Sequence, residues 1–164
     1  MIFVTVGTHE QQFNRLVEYM DCWAAKHEEK VIIQTGYSTY EPQYAKWAKL
    51  FPYQKMIDLV DEARIVITHG GPSSFIMPLQ MRKTPIVVPR QFKYNEHIND
   101  HQVKFVKEVE ERMETIVVVE KIEKLGDIIQ NYDKIKKNKA CVQNNKNFCG
   151  KFEGLVDELF GGRK

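Results

Sequence analysis

Five short apolar runs, "IFVTV" (2–6), "VIIQT" (31–35), "RIVIT" (64–68), "PIVVP" (85–89) and "TIVVV" (115–119), set the strongest limit on what this chain folds into. Each is nearly continuous in apolar residues instead of alternating, the pattern of strands covered on both faces. Between them lie helical periods. Phe13, Leu16, Val17, Met20, Trp23 and Ala24 recur at spacings of three and four, and Met56, Leu59, Val60 and Ala63 do the same. Further helices are expected over 73–81, 98–112 and 121–131. The expected fold is α/β, a doubly wound parallel sheet whose right-handed crossovers place ligands at the carboxyl ends of the strands.

The loops at that end are polar and glycine-rich: "GTHEQ", "GYSTYEP", "HGGPSS" and "RQFKYNEHINDHQ". Any one of them could be an ordinary strand-to-helix turn, but four at one end of one sheet indicate a site. In the third, Gly70 and Gly71 would let the backbone approach a bound group, and Pro72, Ser73 and Ser74 open a helix. Its first amides and hydroxyls would face outward at the positive end of the helix dipole, which suits an anion. The stretch lacks the lysine of G-x-x-x-x-G-K-[ST], and neither it nor "GTHEQ" is a G-x-G-x-x-G fingerprint. ATPase and nicotinamide readings lose support, and a diphosphate held without a P-loop lysine remains.

At 164 residues the chain is expected to form one domain over 1–164, with a tail of different character from about 133. A net charge of +2, with acidic and basic residues nearly balanced, gives no indication of nucleic acid. Cys22, Cys141 and Cys149 are too few and too scattered for a disulfide framework or a zinc site, which fits a reducing compartment. No apolar stretch approaches the roughly 20 residues of a membrane span, and "MIFVTVGT" enters a strand without a basic leader, so a cytoplasmic location is expected. In the tail, a lysine-rich segment precedes Phe152, Leu155, Val156, Leu159 and Phe160 at helical spacing. That stripe either docks on a partner, with the lysines near anionic lipid, or packs on its own domain.

The segments "FVTVGTHEQQFNRLV" and "ITHGGPSSFIMPLQMRKTPIVVPRQFKYNEHINDHQ" resemble the C-terminal, donor-binding half of GT-B glycosyltransferases of the MurG type, family 28. The likeness covers about residues 1–131. It extends to stand-alone bacterial exopolysaccharide and capsule glycosyltransferase subunits, and to the soluble subunit of the two-part eukaryotic UDP-N-acetylglucosamine transferase. The resemblance implies one Rossmann-like half of a GT-B fold. It places a nucleotide diphosphate over Gly70, Gly71, Pro72, Ser73 and Ser74, with His69 beside it and Gly7 and Thr8 facing it. It puts uracil near Tyr53, and the hexose against the segment holding Glu96, His97, Asn99, Asp100, His101 and Gln102. Where many GT-B members carry a ribose-binding glutamate this chain has Met77, and Pro78 beside it should kink the helix.

What the resemblance implies for function is an inverting transfer of a hexose (galactose, glucose or an N-acetylhexosamine) from a UDP-sugar to a lipid-linked saccharide acceptor. A membrane-anchored acceptor-binding subunit would supply the other half and recruit this chain to the inner face of the membrane. No cofactor or metal is expected. His97 and His101 stand four apart, but no H-E-x-x-H pattern or third ligand accompanies them. His9 and Glu10 are the nearest candidates for a general base, or else a solvent histidine and a helix-start acid. His69 is either a phosphate contact or a packed histidine, Asp100 a sugar ligand or a first-turn carboxylate, and Glu96 a sugar ligand or a cap. Two other functions stay open: a UDP-sugar-binding subunit whose partner supplies the base, and a sugar-nucleotide hydrolase or epimerase.

Overall fold

A computed structural model of the chain describes residues 1–139 and 145–160, with the side chains of 145–149, 159 and 160 excepted. Six strands, β1 (Ile2–Thr5), β2 (Val31–Gln34), β3 (Lys46–Ala48), β4 (Ile65–His69), β5 (Ile86–Val88) and β6 (Val117–Val118), form one sheet. Their order is β3-β2-β1-β4-β5-β6 and every pairing is parallel. Register aligns Ile2 with Val31 on one side and Ile65 on the other. Among the described residues there are seven α-helices, in chain order α1 (Asn14–Ala24), α2 (Tyr53–Glu62), α3 (Pro72–Gln80), α4 (His101–Met113), α5 (Leu125–Gln130), α6 (Tyr132–Lys137) and α7 (Asn145–Phe160).

The continuous apolar runs are explained by burial on both faces. Ile2, Val4 and Val6 point to one side and meet Leu16, Val17 and Met20 of α1 and Leu125 and Ile129 of α5. Phe3, Ile32 and Val66 point to the other and meet Leu59 and Val60 of α2. Farther along that second face, Val87 lies under Phe75 and Leu79 of α3, Val106 of α4 and Phe152 of α7. Each such side chain contributes about 1.5–3 kcal/mol by leaving water.

Four expectations are adjusted by the structure. The edge strand β3 was not foreseen, because Lys46 and Trp47 are exposed and no apolar run marks it. The segment 121–131 is divided into a 3-10 turn over Ile122–Lys124 followed by the short α5. Pro78 lies inside α3, which continues to Gln80 and ends two residues beyond it. The tail helix α7 packs on its own domain: Phe152 and Leu155 are buried, and the Phe152 ring meets Phe75 and Phe105 edge-on at 6.1 Å. Cys141 and the side chains of Cys149, Leu159 and Phe160 lie outside the described residues. Among the described residues no helix is long and apolar enough to cross a membrane.

Candidate functional site

The loops after β1, β3 and β4 converge at the carboxyl end of the sheet around a cavity of about 660 Å³. One wall is apolar: Leu50 and Phe51 follow β3, Tyr53 and Met56 open α2, and Met77 reaches in from α3. The opposite side is polar, with Thr8 and His9 from the β1 loop, His69 at the end of β4, and Ser73 and Ser74 at the start of α3. Of the expected site residues, Gly7, Thr8, His9, Tyr53, His69, Ser73 and Ser74 thus line one space, although they come from three loops.

His69 explains the glycines around it. Its ring is nearly buried and lies between Gly7 and Gly71: a Cβ at Gly7 would meet Nε2 at 2.4 Å, and one at Gly71 would meet Cε1 at 2.3 Å. Gly7 also has a φ of +75°, which favours glycine by itself. These two glycines clear space for an imidazole, where backbone approach to a ligand was expected. The Gly71 amide donates to His69 Nδ1 at 3.0 Å. Burial, reinforced by the charge of Arg90, pushes the His69 pKa down to about 4, so the ring is neutral at physiological pH.

The anion cradle is narrower than the sequence suggests. The Gly70 amide donates to Gln102 Oε1 at 3.1 Å, the Ser74 amide to the Gly71 carbonyl, and Pro72 has no N–H. The Ser74 hydroxyl is shared between the carbonyls of Gly71 (2.6 Å) and His69 (2.9 Å). It closes the turn and is not directed at a ligand. What the stretch leaves for a ligand is the amide and hydroxyl of Ser73, an exposed residue on the cavity wall.

Arg90, just after β5, is the fastening that the sequence did not disclose. Its fully buried guanidinium donates to the carbonyls of Val6 (2.8 Å), Gln11 (2.8 Å), Gln12 (3.0 Å) and Glu96 (3.1 Å), and lies 4.8 Å over the Phe13 ring. It therefore ties the β1 loop to the β5 loop beneath the cavity. Burial lowers its pKa to about 10, which leaves it charged near His69 and His9. Glu96 is turned away from the cleft. Its buried carboxylate takes both Nε (2.8 Å) and a terminal nitrogen (2.9 Å) of Arg15, and accepts the Gln91 amide at 3.0 Å.

The rest of the expected sugar segment divides similarly. Asn99 Oδ1 accepts the His101 amide at 3.1 Å, and Asp100 Oδ1 accepts the Phe92 amide at 2.9 Å. Gln102 accepts from both Gly70 and Arg90. These side chains shape the loop and the start of α4, and none of Asn99, Asp100, His101 or Gln102 lines the cavity. His97 does come to His9: the two rings lie 4.9 Å apart, tilted by 38°. Glu10 is exposed beside His9 and does not line the cavity. Among the described residues no cluster of three or more His, Cys, Asp or Glu is placed to hold a metal.

Asp21, also unforeseen, anchors the crossing into β3. Its buried carboxylate accepts the amides of Gln43, Tyr44 and Ala45 and the Tyr40 hydroxyl. Burial alone would raise its pKa, but these four donors outweigh that and hold it below the usual carboxylate range.

The family model described as "Glycosyltransferase family 28 C-terminal domain" matches residues 1–158. None of the curated proteins matches. Among solved structures, the chain is similar to the glycosyltransferase SnogD from Streptomyces nogalater, with a TM-score of 0.56 and 12% identity over 83% of this chain and 36% of that one. It is similar to the glycotransferase of kitacinnamycin, with a TM-score of 0.55 and 15% identity over 96% of this chain and 38% of that one. It also resembles CalG4, the calicheamicin glycosyltransferase, at 0.51 and 11% over 97% and 44%. The chain thus spans less than half the length of these structures, and at such identities the likeness is one of fold.

Proposed function

The chain belongs to the glycosyltransferase family 28 C-terminal domain family, and from that premise we propose that it is the donor-binding catalytic subunit of a two-component inverting glycosyltransferase. In this reading it binds a UDP-sugar, and a hexose passes to a lipid-linked saccharide acceptor during polysaccharide biosynthesis. The cavity carries the proposal, because its two sides match the two ends of such a donor. Leu50, Phe51, Tyr53, Met56 and Met77 offer an apolar wall for a base and ribose. Thr8, His9 and Ser73 offer hydrogen-bond donors for a diphosphate.

The chemistry asked of this side of the cleft is modest. An acceptor oxygen attacks the anomeric carbon, the carbon–oxygen bond to the diphosphate breaks, and its electron pair stays on the leaving group. Fixed neutral donors and a helix start stabilise that developing charge without reorganising. Arg90 lies behind them and adds a charge that does not leave the protein interior.

A second subunit, anchored in the membrane and holding the acceptor, is supported by an exposed apolar rim at the same end of the sheet. Tyr37, Leu50, Tyr53, Phe92 and Ile98 are each more than half exposed there, a grouping that marks an interaction surface. Thermal melting of the chain with a panel of UDP-, GDP- and dTDP-sugars tests the donor assignment. UDP-sugars are expected to raise the melting temperature, since a ligand that binds only the folded state stabilises it. A rise with GDP-sugars alone would reassign the nucleotide, and no rise with any donor would remove the proposal.

A further inference from the structure

We propose that His9 is a hydrogen-bond donor to the departing diphosphate through Nε2–H, and is not the base that removes the acceptor's proton. This rests on reading the cavity as a diphosphate site. The Gln11 amide donates to His9 Nδ1 at 3.2 Å. A ring nitrogen that accepts an amide hydrogen carries no proton, so the hydrogen of the neutral ring sits on Nε2. The lone pair that a base would need is already engaged by the protein's own backbone. Nε2 lies on the other side of the ring, and His9 lines the cavity together with Ser73 and Thr8.

The surroundings hold the ring in that state. His97 packs against it with centroids 4.9 Å apart, which opposes rotation, and His97 Nδ1 is itself buried with no partner among the described residues. The charged and titratable groups that act on His9 are Arg90, His97 and Glu10; burial, then Arg90 and His97, depress its pKa, and Glu10 opposes them. His69 repeats the arrangement, with the Gly71 amide on Nδ1. Two imidazoles on the cavity wall are thus fixed by backbone amides in the same tautomer. His97 is a positioning residue.

The acceptor oxygen bonds to the anomeric carbon, and the electron pair of the broken bond remains on the diphosphate, where Nε2–H of His9 meets it. The acceptor's proton passes to another base, either Glu10 or a carboxylate or imidazole of the acceptor-binding half.

The test uses the full chain, 15N-histidine NMR and calorimetric titration with UDP at neutral pH. His9 is expected to show an unprotonated Nδ1 and a protonated Nε2, and UDP is expected to shift the Nε2–H resonance. His9→Ala should weaken UDP by about tenfold, while His9→Gln, which restores an amide donor and cannot act as a base, should stay within about threefold of the original chain. His97→Phe should keep the His9 tautomer and His97→Ala should lose it, with melting temperatures confirming that each variant is folded. A proton on Nδ1, wild-type UDP affinity in His9→Ala, or equal losses in the Ala and Gln variants would each overturn the inference while leaving the diphosphate site standing. Absence of UDP binding by the unaltered chain would overturn the diphosphate reading, and this inference with it.

Discussion

His69 occupies the room that Gly7 and Gly71 leave open, and its neutrality makes stability depend on pH. In the unfolded chain its pKa returns to about 6.5, while in the folded chain burial holds it at about 4. Protons are therefore taken up on unfolding between these values. The stabilisation is complete above pH 6.5 and is lost as pH falls toward 4, by roughly 3 kcal/mol in all. Urea unfolding followed across that window should show the decline, and His69→Asn should remove most of the slope; an unchanged slope would mean that the imidazole is not buried. The residue itself was legible as a site candidate from its place after a strand. Its packing was not, because the sequence does not reveal that a glycine 62 residues earlier lies across its ring. Arg90 was hidden for the same reason. Its four carbonyl partners come from chain segments up to 84 residues away, and no local pattern marks an arginine for burial.

Strands β1, β2 and β4 were readable because helices cover both of their faces and force a continuous apolar run. The edge strand β3 escapes that rule, since its exposed Lys46 and Trp47 are compatible with a loop. Helix α7 could be recognised as amphipathic, but periodicity gives a stripe and not its partner. Here Phe152 fits between Phe75 of α3, the helix that brings Ser73, Ser74 and Met77 to the cavity, and Phe105 of α4. Phe152→Ala is therefore expected to destabilise the isolated chain by about 3–5 kcal/mol in chemical denaturation. If the stripe instead served only a partner, the isolated chain would unfold at the same denaturant concentration with or without the substitution.

Across the whole molecule, one end of the sheet gathers the cavity, the buried Arg90 fastening and the exposed rim of Tyr37, Leu50, Phe92 and Ile98. The other features of the chain support that end: Asp21 secures the crossing into β3, and the Arg15–Glu96 pair braces the loop after β5. Breaking a buried pair of that kind is costly because it leaves a charge uncompensated, which is why Glu96 serves the scaffold better than it would serve a sugar. A crystal structure of the chain with UDP tests most directly whether the cavity is a nucleotide-diphosphate site. The diphosphate is expected beside Ser73, Thr8 and His9 with the base against Leu50 and Tyr53; UDP bound elsewhere, or a cavity left empty at saturating UDP, would contradict it.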